Sequence, residues 1–274
     1  MEQVRIPQRQ VFPTYREYTQ KLENAYKYIK TLYGENDVND VCTLRGYISP
    51  EQKALLESME IGTCTIDDVT VLGEDRAYLG LTAVDKNNTE RFLLDGRYIV
   101  PIRDIAGNLV ALVGWYPDYK KYITTPSLFF SKNDLFFNID HAYRLSWEKY
   151  NGVVFLVEGI FDALSLRAIG LPAIATMGVT VENPKSQLLK LFKKVVAIPD
   201  NDKAGNQAKQ RGTKKSWDVP FNTTFLTIKG KCVTPYGELK VKDVDNLVSY
   251  FEDVKDILLS YAESKDVFEE LVLG

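Results

Sequence analysis

The sequence predicts an α/β protein built around a parallel sheet, and three features of residues 153–205 predict it. The first is a short apolar run, Val153-Val154-Phe155-Leu156-Val157, closed by Glu158-Gly159. The second is a helical segment with an acid in its first turn, Ile160-Phe161-Asp162-Ala163-Leu164-Ser165-Leu166. The third is another apolar run, Val195-Val196-Ala197-Ile198, closed by Pro199-Asp200-Asn201-Asp202 and followed by Lys203-Ala204-Gly205. A short, continuous, β-branched run bounded by turn residues reads as a strand buried on both faces. Strand, helix and strand in succession are βαβ grammar, which implies a parallel sheet.

In open parallel sheets the chemistry lies at the carboxyl ends of the strands. Glu158 and the Asp200/Asp202 pair both fall at such ends. Residues two apart in an extended segment point the same way, so Asp200 and Asp202 can face one point together, and Glu158 can face it from the neighbouring strand. Carboxylates converging in this way repel one another unless a cation offsets them. Hard divalent ions take oxygen ligands, and Mg²⁺ combines a few carboxylates with waters and substrate phosphates. Taken singly, each piece has a plain structural reading: a helix-capping acid after Val157, or an Asx-turn at 200–205. Together, in this order and each after a buried strand, they favour a metal site.

The same residues carry a resemblance. Glu158-Gly159, Asp162 and Asp200-x-Asp202-x-x-Gly205 resemble the TOPRIM signature shared by bacterial-type primases, topoisomerases and several nucleases. The stretches Val157-Glu158-Gly159-Ile160-Phe161-Asp162-Ala163-Leu164 and Ala175-Thr176-Met177-Gly178-Val179-Thr180 are most similar to the primase form, that is, a DnaG-like RNA-polymerase core with a TOPRIM domain.

The remaining elements follow in chain order. Residues up to about Gln10 read as a loose tail. Tyr18, Leu22, Tyr26, Ile29 and Leu32 recur at helical spacing, with Gly34 just beyond, which predicts a helix over 15–32. Val41-Cys42-Thr43-Leu44-Arg45-Gly46-Tyr47-Ile48 ends in a turn. Ser49 then reads as an N-cap and Pro50 as the first residue of a helix reaching about Met59. Residues 67–81 have a mixed pattern. Glu90-Arg91-Phe92-Leu93-Leu94 leads into Asp95-Gly96, a hairpin-type turn, and then a strand over 97–104. Ala106-Gly107-Asn108 turns into a further strand over 109–115. Residues 134–150 read as a helix, 173–176 as a short strand and 184–194 as an amphipathic helix. Residues 203–217 read as a basic helix with a solvated lysine face, and 223–228 as a strand. The segment 228–239, with Gly230, Pro235 and Gly237, reads as a hairpin excursion, and 246–273 as helix. Asp243-x-Asp245 supplies another acidic pair, which would equally suit the start of a helix.

The resemblance extends over about Leu44 to Leu247 and implies further roles. Leu44-Arg45-Gly46-Tyr47-Ile48-Ser49 is similar to the start of the primase polymerase core, which puts Arg45 near template or nucleotide phosphate. The strand–turn–strand that opens at Arg97 resembles the core hairpin. It departs from the family at Val113-Gly114-Trp115, where Gly-Gly-Arg is usual, so a basic position is lost. Lys120-Lys121-Tyr122-Ile123-Thr124-Thr125-Pro126 followed by Phe129-Phe130-Ser131-Lys132 is similar to a primase motif, with Thr124 in place of Asn. Lysines there suit phosphate and Tyr122 offers a face to a base, although a solvated lysine pair on a loop is the plainer reading.

Bulk properties exclude several classes. A chain of 274 residues can bury a sizeable core. Its net charge of −3 announces no strongly basic surface. The 3 cysteines, Cys42, Cys64 and Cys232, form no CxxC pair and suit free thiols in a reducing compartment. His141 is the single histidine, which rules out histidine metal clusters and Ser-His-Asp triads. The N-terminus is polar and no apolar run reaches membrane-spanning length.

The reading is therefore an α/β protein: a TOPRIM domain with a central parallel sheet flanked by helices, plus a mixed α/β N-terminal primase-core lobe. The expected division is 1–150 for that lobe, 151–248 for the TOPRIM domain and 249–274 for a helical tail. The resemblance implies a DNA primase, making short RNA primers on single-stranded DNA from ribonucleoside triphosphates with Mg²⁺ or Mn²⁺. Glu158, Asp200 and Asp202 are the expected catalytic and metal residues. Asp162, Asp243 and Asp245 are further metal or water-shell acids, and Arg45, Arg97, Lys121, Tyr122 and Lys132 the nucleotide or DNA contacts. The zinc-binding and helicase-binding domains of the larger family are not seen in this chain, which reads as a small primase, from a phage for instance, or a fragment. A replicative helicase and a separate zinc-binding or template-recognition protein are expected partners, no membrane is, and the setting is the cytoplasm of a bacterial or phage-infected cell. A TOPRIM nuclease and a non-catalytic DNA-binding replication subunit are the alternatives. The former uses the same acids with water as nucleophile.

Overall fold

The computed structural model describes residues 14–46, 50–59, 61–117, 121–178, 180–200, 217–234, 237–241 and 243–273. Thr14 caps Tyr15–Lys30 (α1) through a capping box with Glu17, so the spacing that predicts this helix is matched to a start signal. Asp37–Arg45 (α2) ends at Gly46, whose φ of 70° closes the helix in the left-handed region. Pro50–Ser58 (α3) begins on the expected proline, while the expected Ser49 cap lies outside the described residues. Gly62–Thr63 (β1), Tyr98–Arg103 (β4), Leu109–Tyr116 (β5) and Lys121–Thr124 (β6) form an antiparallel sheet in the order β1-β4-β5-β6.

Both faces of that sheet are covered, which explains its continuous apolar strands. Ile99, Leu109 and Leu112 pack with Tyr18, Leu22 and Ile29 of α1. Tyr98, Val100, Ile102, Val113 and Trp115 join the larger core, which runs into the C-terminal half of the chain. The β4–β5 hairpin closes as expected: Asp104 Oδ1 accepts from the Ala106 and Asn108 amides, each at 2.9 Å, and Gly107 takes a φ of 87°. Asp95-Gly96 does not make the expected hairpin. Glu90–Phe92 (β3) pairs with Thr82–Val84 (β2), not with β4, and the Gly96 amide donates to the Cys64 carbonyl at 3.0 Å. The turn thus passes the chain from one sheet to another.

The second sheet is parallel, in the order β13-β10-β9-β7-β8. Val153–Val157 (β7) lies at its heart, flanked by Ala173–Ala175 (β8) and Lys194–Ile198 (β9), with Thr223–Lys229 (β10) and Phe268–Val272 (β13) beyond. Ile160–Ala168 (α5) follows β7 and is buried along most of its length. Three helices expected from the sequence need correction. The helix expected over 134–150 is Ile139–Lys149 (α4), because Phe137 pairs with Ala175 as an isolated bridge and holds the preceding segment extended. The helix expected over 184–194 is one turn, Lys185–Leu188 (α6), and then a 3₁₀ turn, since Lys194 already belongs to β9. The helix expected over 246–273 is Val244–Tyr250 (α7), Val254–Ala262 (α8) and then β13, which extends the sheet at its edge. The segment 121–124, which the sequence reading assigns to no element, is strand β6, antiparallel to β5. The hairpin excursion is present as Lys231–Thr234 (β11) and Gly237–Lys240 (β12). The basic helix expected over 203–217 falls on residues of which only Trp217 is described; it bridges to Val181.

Candidate active site at the strand ends

The register of the parallel sheet sets the geometry. Val157 pairs with Ile198 on one side and Ala175 on the other. Glu158 therefore leaves β7 level with Pro199, and the Asp200 amide donates to Glu158 Oε1 at 3.1 Å. Pro199 has no amide hydrogen to continue the ladder, which suits the end of the strand there. Glu158 and Asp200 both line a cavity of about 270 Å³, together with Gly159, Ile160, Met177 and Gly178 from the strand ends, and Val113, Tyr122 and Thr124 from β5 and β6. Asp202 lies outside the described residues.

Behind these two acids stands a buried row. Gly159 precedes α5 with a φ of −93°, which any residue adopts, so space rather than conformation selects it. A Cβ there would sit 2.4 Å from Asp162 Oδ2. Asp162 accepts the Asp245 amide on its Oδ1 at 2.9 Å. Its own pKa is raised well above the ordinary carboxylate range, first by burial and then by the charges of Asp243, Asp245 and Asp200. The four acids thus share one electrostatic neighbourhood.

Their individual contacts differ. Asp243 is the N-cap of α7 and accepts the Asn246 amide at 2.9 Å. Asp245 is almost fully buried and receives the Ser165 hydroxyl at 2.5 Å and the Arg45 guanidinium. Arg45 crosses from α2 to make that ion pair, and its guanidinium carbon lies 4.5 Å from the Phe161 ring centroid and 5.7 Å from that of Trp115. Arg45 is therefore a partner of the acid row, and its side chain keeps some solvent exposure. Trp115 occupies the position where the family pattern has arginine; it packs edge-on against Phe161 at 4.8 Å and places a ring under Arg45.

The other expected contacts spread around the cavity. Tyr122 lines it; the residue is 44 % exposed, but its hydroxyl end is crowded, and burial, then Asp162, Asp245 and Asp200, raise its pKa against the opposing charge of Arg45. Lys121 opens β6 opposite Tyr116, and its side chain is not among those described. Arg97 lies along Gly114, with its guanidinium carbon 5.4 Å from the Tyr116 ring centroid. Among the described residues its Nη1 is buried without a hydrogen-bond partner. Lys132 is exposed on the segment after β6 and does not line the cavity.

Among the described residues no three His, Cys, Asp or Glu side chains close a metal site by themselves. The donor chemistry nevertheless fits a hard cation. Two carboxylates edge an open cavity, a third, Asp162, lies buried behind them with its pKa raised by burial and then by the neighbouring acids, and Mg²⁺ commonly takes one or two carboxylates and completes its shell with water and phosphate. Sequence reasoning missed Gln52, Ser165, Thr176 and Lys185. Gln52 donates to Ser165 at 3.1 Å, linking α3 to the Asp245–Arg45 pair. Ser165 stands three residues after Asp162, on the same helix face, and that spacing is the signal that could have found it.

Comparison with known proteins agrees with this fold. Residues 155–235 match the Toprim-like family model. The RNA polymerase domain of Mycobacterium tuberculosis primase DnaG superposes with a TM-score of 0.69 at 17% identity, covering 92% of this chain and 84% of that one. This is the fold of the DnaG primase catalytic core. A DnaG catalytic domain solved bound to single-stranded DNA superposes on the same core with a TM-score of 0.67 at 18% identity, over 90% of this chain and 81% of that one. In sequence, the DNA primase of Thermotoga maritima is 30% identical over 225 residues, 78% of this chain. The chain spans 37% of the length of that primase. No helix among the described residues is long and apolar enough to cross a membrane.

Proposed function

We propose that the chain is a primase core: it binds single-stranded DNA and joins ribonucleoside triphosphates into short RNA primers. The placement of Glu158 and Asp200 on one cavity wall, within a DnaG-core fold, carries this reading. In this reading residues 1–150 form the template- and nucleotide-binding lobe and 151–248 the TOPRIM domain. Residues 249–274 add an edge strand to its sheet.

Glu158 and Asp200, with Asp202, would hold Mg²⁺ or Mn²⁺. Asp162, Asp243 and Asp245 form the supporting acids and their water shell. The bound ion supplies charge stabilisation at the attacking and leaving oxygens of the phosphoryl transfer. The chain's own residues do the rest. Arg45 neutralises Asp245, so the row behind the ligands keeps less net negative charge facing an incoming triphosphate. Tyr122 offers its ring at the cavity mouth, where a base can stack. Arg97, Lys121 and Lys132 supply cations for triphosphate or template backbone. No protein nucleophile is required, because the primer 3′-hydroxyl attacks the α-phosphate and pyrophosphate leaves. A replicative helicase and a zinc-binding or template-recognition protein are the partners this reading calls for, in a bacterial or phage-infected cytoplasm.

The test is RNA synthesis on single-stranded DNA with labelled ribonucleotides and Mg²⁺ or Mn²⁺. Metal-dependent short RNA that disappears in Asp200→Ala supports the proposal. Metal-dependent shortening of the DNA, with no RNA, would replace it with a nuclease.

A further inference from the structure

Lys185 is 1 % exposed, yet two carbonyl oxygens and a ring face meet its ammonium rather than a carboxylate. Nζ donates to the Lys132 carbonyl at 2.8 Å and to the Thr176 carbonyl, and lies 4.8 Å from the centroid of the Phe136 ring. The two carbonyls belong to different parts of the molecule. Lys132 sits on the exposed segment that follows β6. Thr176 follows β8, and its own contacts lead to the acid cavity. Its amide donates to the Val157 carbonyl at 3.0 Å and its hydroxyl to the Glu158 carbonyl at 3.3 Å. The next two residues, Met177 and Gly178, form part of the cavity wall, and the Met177 amide donates to the Glu158 carbonyl at 3.3 Å.

A buried ammonium costs folding free energy that an apolar side chain of similar length would not. Burial, then the charge of Lys132, lowers its pKa to about 7, with Asp134 opposing. Both facing charges lie on the 131–136 segment; Glu182 lies on its own turn and is exposed, and Glu158 lies beyond Thr176. An uncompensated cation at a junction is retained more readily where it fixes one arrangement of two segments than where it only fills space.

We propose that Lys185 is a positioning residue: its ammonium clips the segment carrying Lys132 to the chain just after β8, which is hydrogen-bonded to the Glu158 backbone, and so holds the Lys132 side chain where it can meet nucleic-acid phosphate. This rests on the reading that Lys132 contacts phosphate. It does not need the chain to make RNA.

The experiment is binding of a fluorescein-labelled single-stranded oligonucleotide to the full chain by anisotropy, at several salt concentrations. The proteins are wild type, Lys132→Ala, Lys185→Met and the double variant, each checked for folding by circular dichroism. A lysine that meets one phosphate contributes about 1 to the slope of log affinity against log salt. Lys132→Ala and Lys185→Met are each expected to lower the slope by about 1, and the double variant by about 1 rather than 2, because the second change acts through the first residue. Lys185→Gln, which keeps a donor, is expected to restore part of the affinity, and it replaces Lys185→Met if that protein does not fold. A wild-type slope in Lys185→Met, additive losses in the double variant, or no effect of Lys132→Ala would each overturn the proposal. A wild type that binds oligonucleotide but makes no RNA would leave it standing and remove only the primase reading.

Discussion

Asp162 governs the electrostatics of the acid row. Burial and three neighbouring acids hold its pKa above the unfolded value, so the folded chain binds more protons than the unfolded chain in the interval between the two. Its contribution to stability is full below the unfolded pKa and is lost as pH rises through the folded one. Asp162→Asn keeps an oxygen for the Asp245 amide and removes the charge. In EDTA at pH 7 it should raise unfolding free energy by on the order of 1 kcal/mol, read from urea midpoints. Lys185 has the opposite sign. Its pKa is lowered from 10.5 to about 7, so the unfolded chain binds the extra proton across that interval and stability rises with pH from about 7 to about 10.5. The difference in unfolding free energy between wild type and Lys185→Met should climb over that window, and a flat difference would show that the ammonium is not desolvated.

At the scale of elements, the Glu-Gly step between β7 and α5 is built by space. Gly159→Ala pushes a Cβ against the Asp162 carboxylate, and α5 or the carboxylate must move. The expected cost is about 1–3 kcal/mol, measured by denaturation, with a larger fractional loss in divalent-ion affinity than in stability. The β7-α5-β9 unit was legible in the sequence because Val153-Val154-Phe155-Leu156-Val157 and Val195-Val196-Ala197-Ile198 are buried on both faces and bounded by turn residues, so pattern and environment coincide. Elements whose fate is decided by distant partners were not legible. Residues 134–138 carry a helix-compatible pattern, but Phe137 is claimed by Ala175. Phe268–Val272 has no clean alternation and becomes a strand because the edge of β10 is available to it. Asp95-Gly96 has hairpin chemistry, yet β2 rather than β4 pairs with the strand before it. In the site, strand-end acids could be read from the sequence, whereas the Arg45–Asp245 pair could not, because its members are 200 residues apart.

At the scale of the whole molecule, that pair joins the two halves of the chain. Arg45 on α2 and Gln52 on α3 meet Ser165 on α5 and Asp245 on α7, in a buried network beneath the cavity. The antiparallel sheet lies against the same region through Trp115 and Phe161. Asp245→Ala leaves the Arg45 charge largely buried and without its carboxylate. Arg45 keeps some solvent contact, so the loss should fall below that of a fully buried pair, at about 2–3 kcal/mol, with one cooperative unfolding transition retained in calorimetry. Two separated transitions would mean that the halves are not coupled through this network.

The parallel sheet brings Glu158 and Asp200 to one cavity wall, where the proposed function has them hold a divalent ion. Titration of Mn²⁺ into wild type, Glu158→Gln and Asp200→Asn, followed by the loss of its free electron-paramagnetic-resonance signal, tests this most directly. Wild type should bind Mn²⁺, and binding should weaken at least about tenfold in each variant, the equivalent of roughly 1.4 kcal/mol, with folding intact. Wild-type affinity in both variants would contradict this and place any bound ion elsewhere in the molecule.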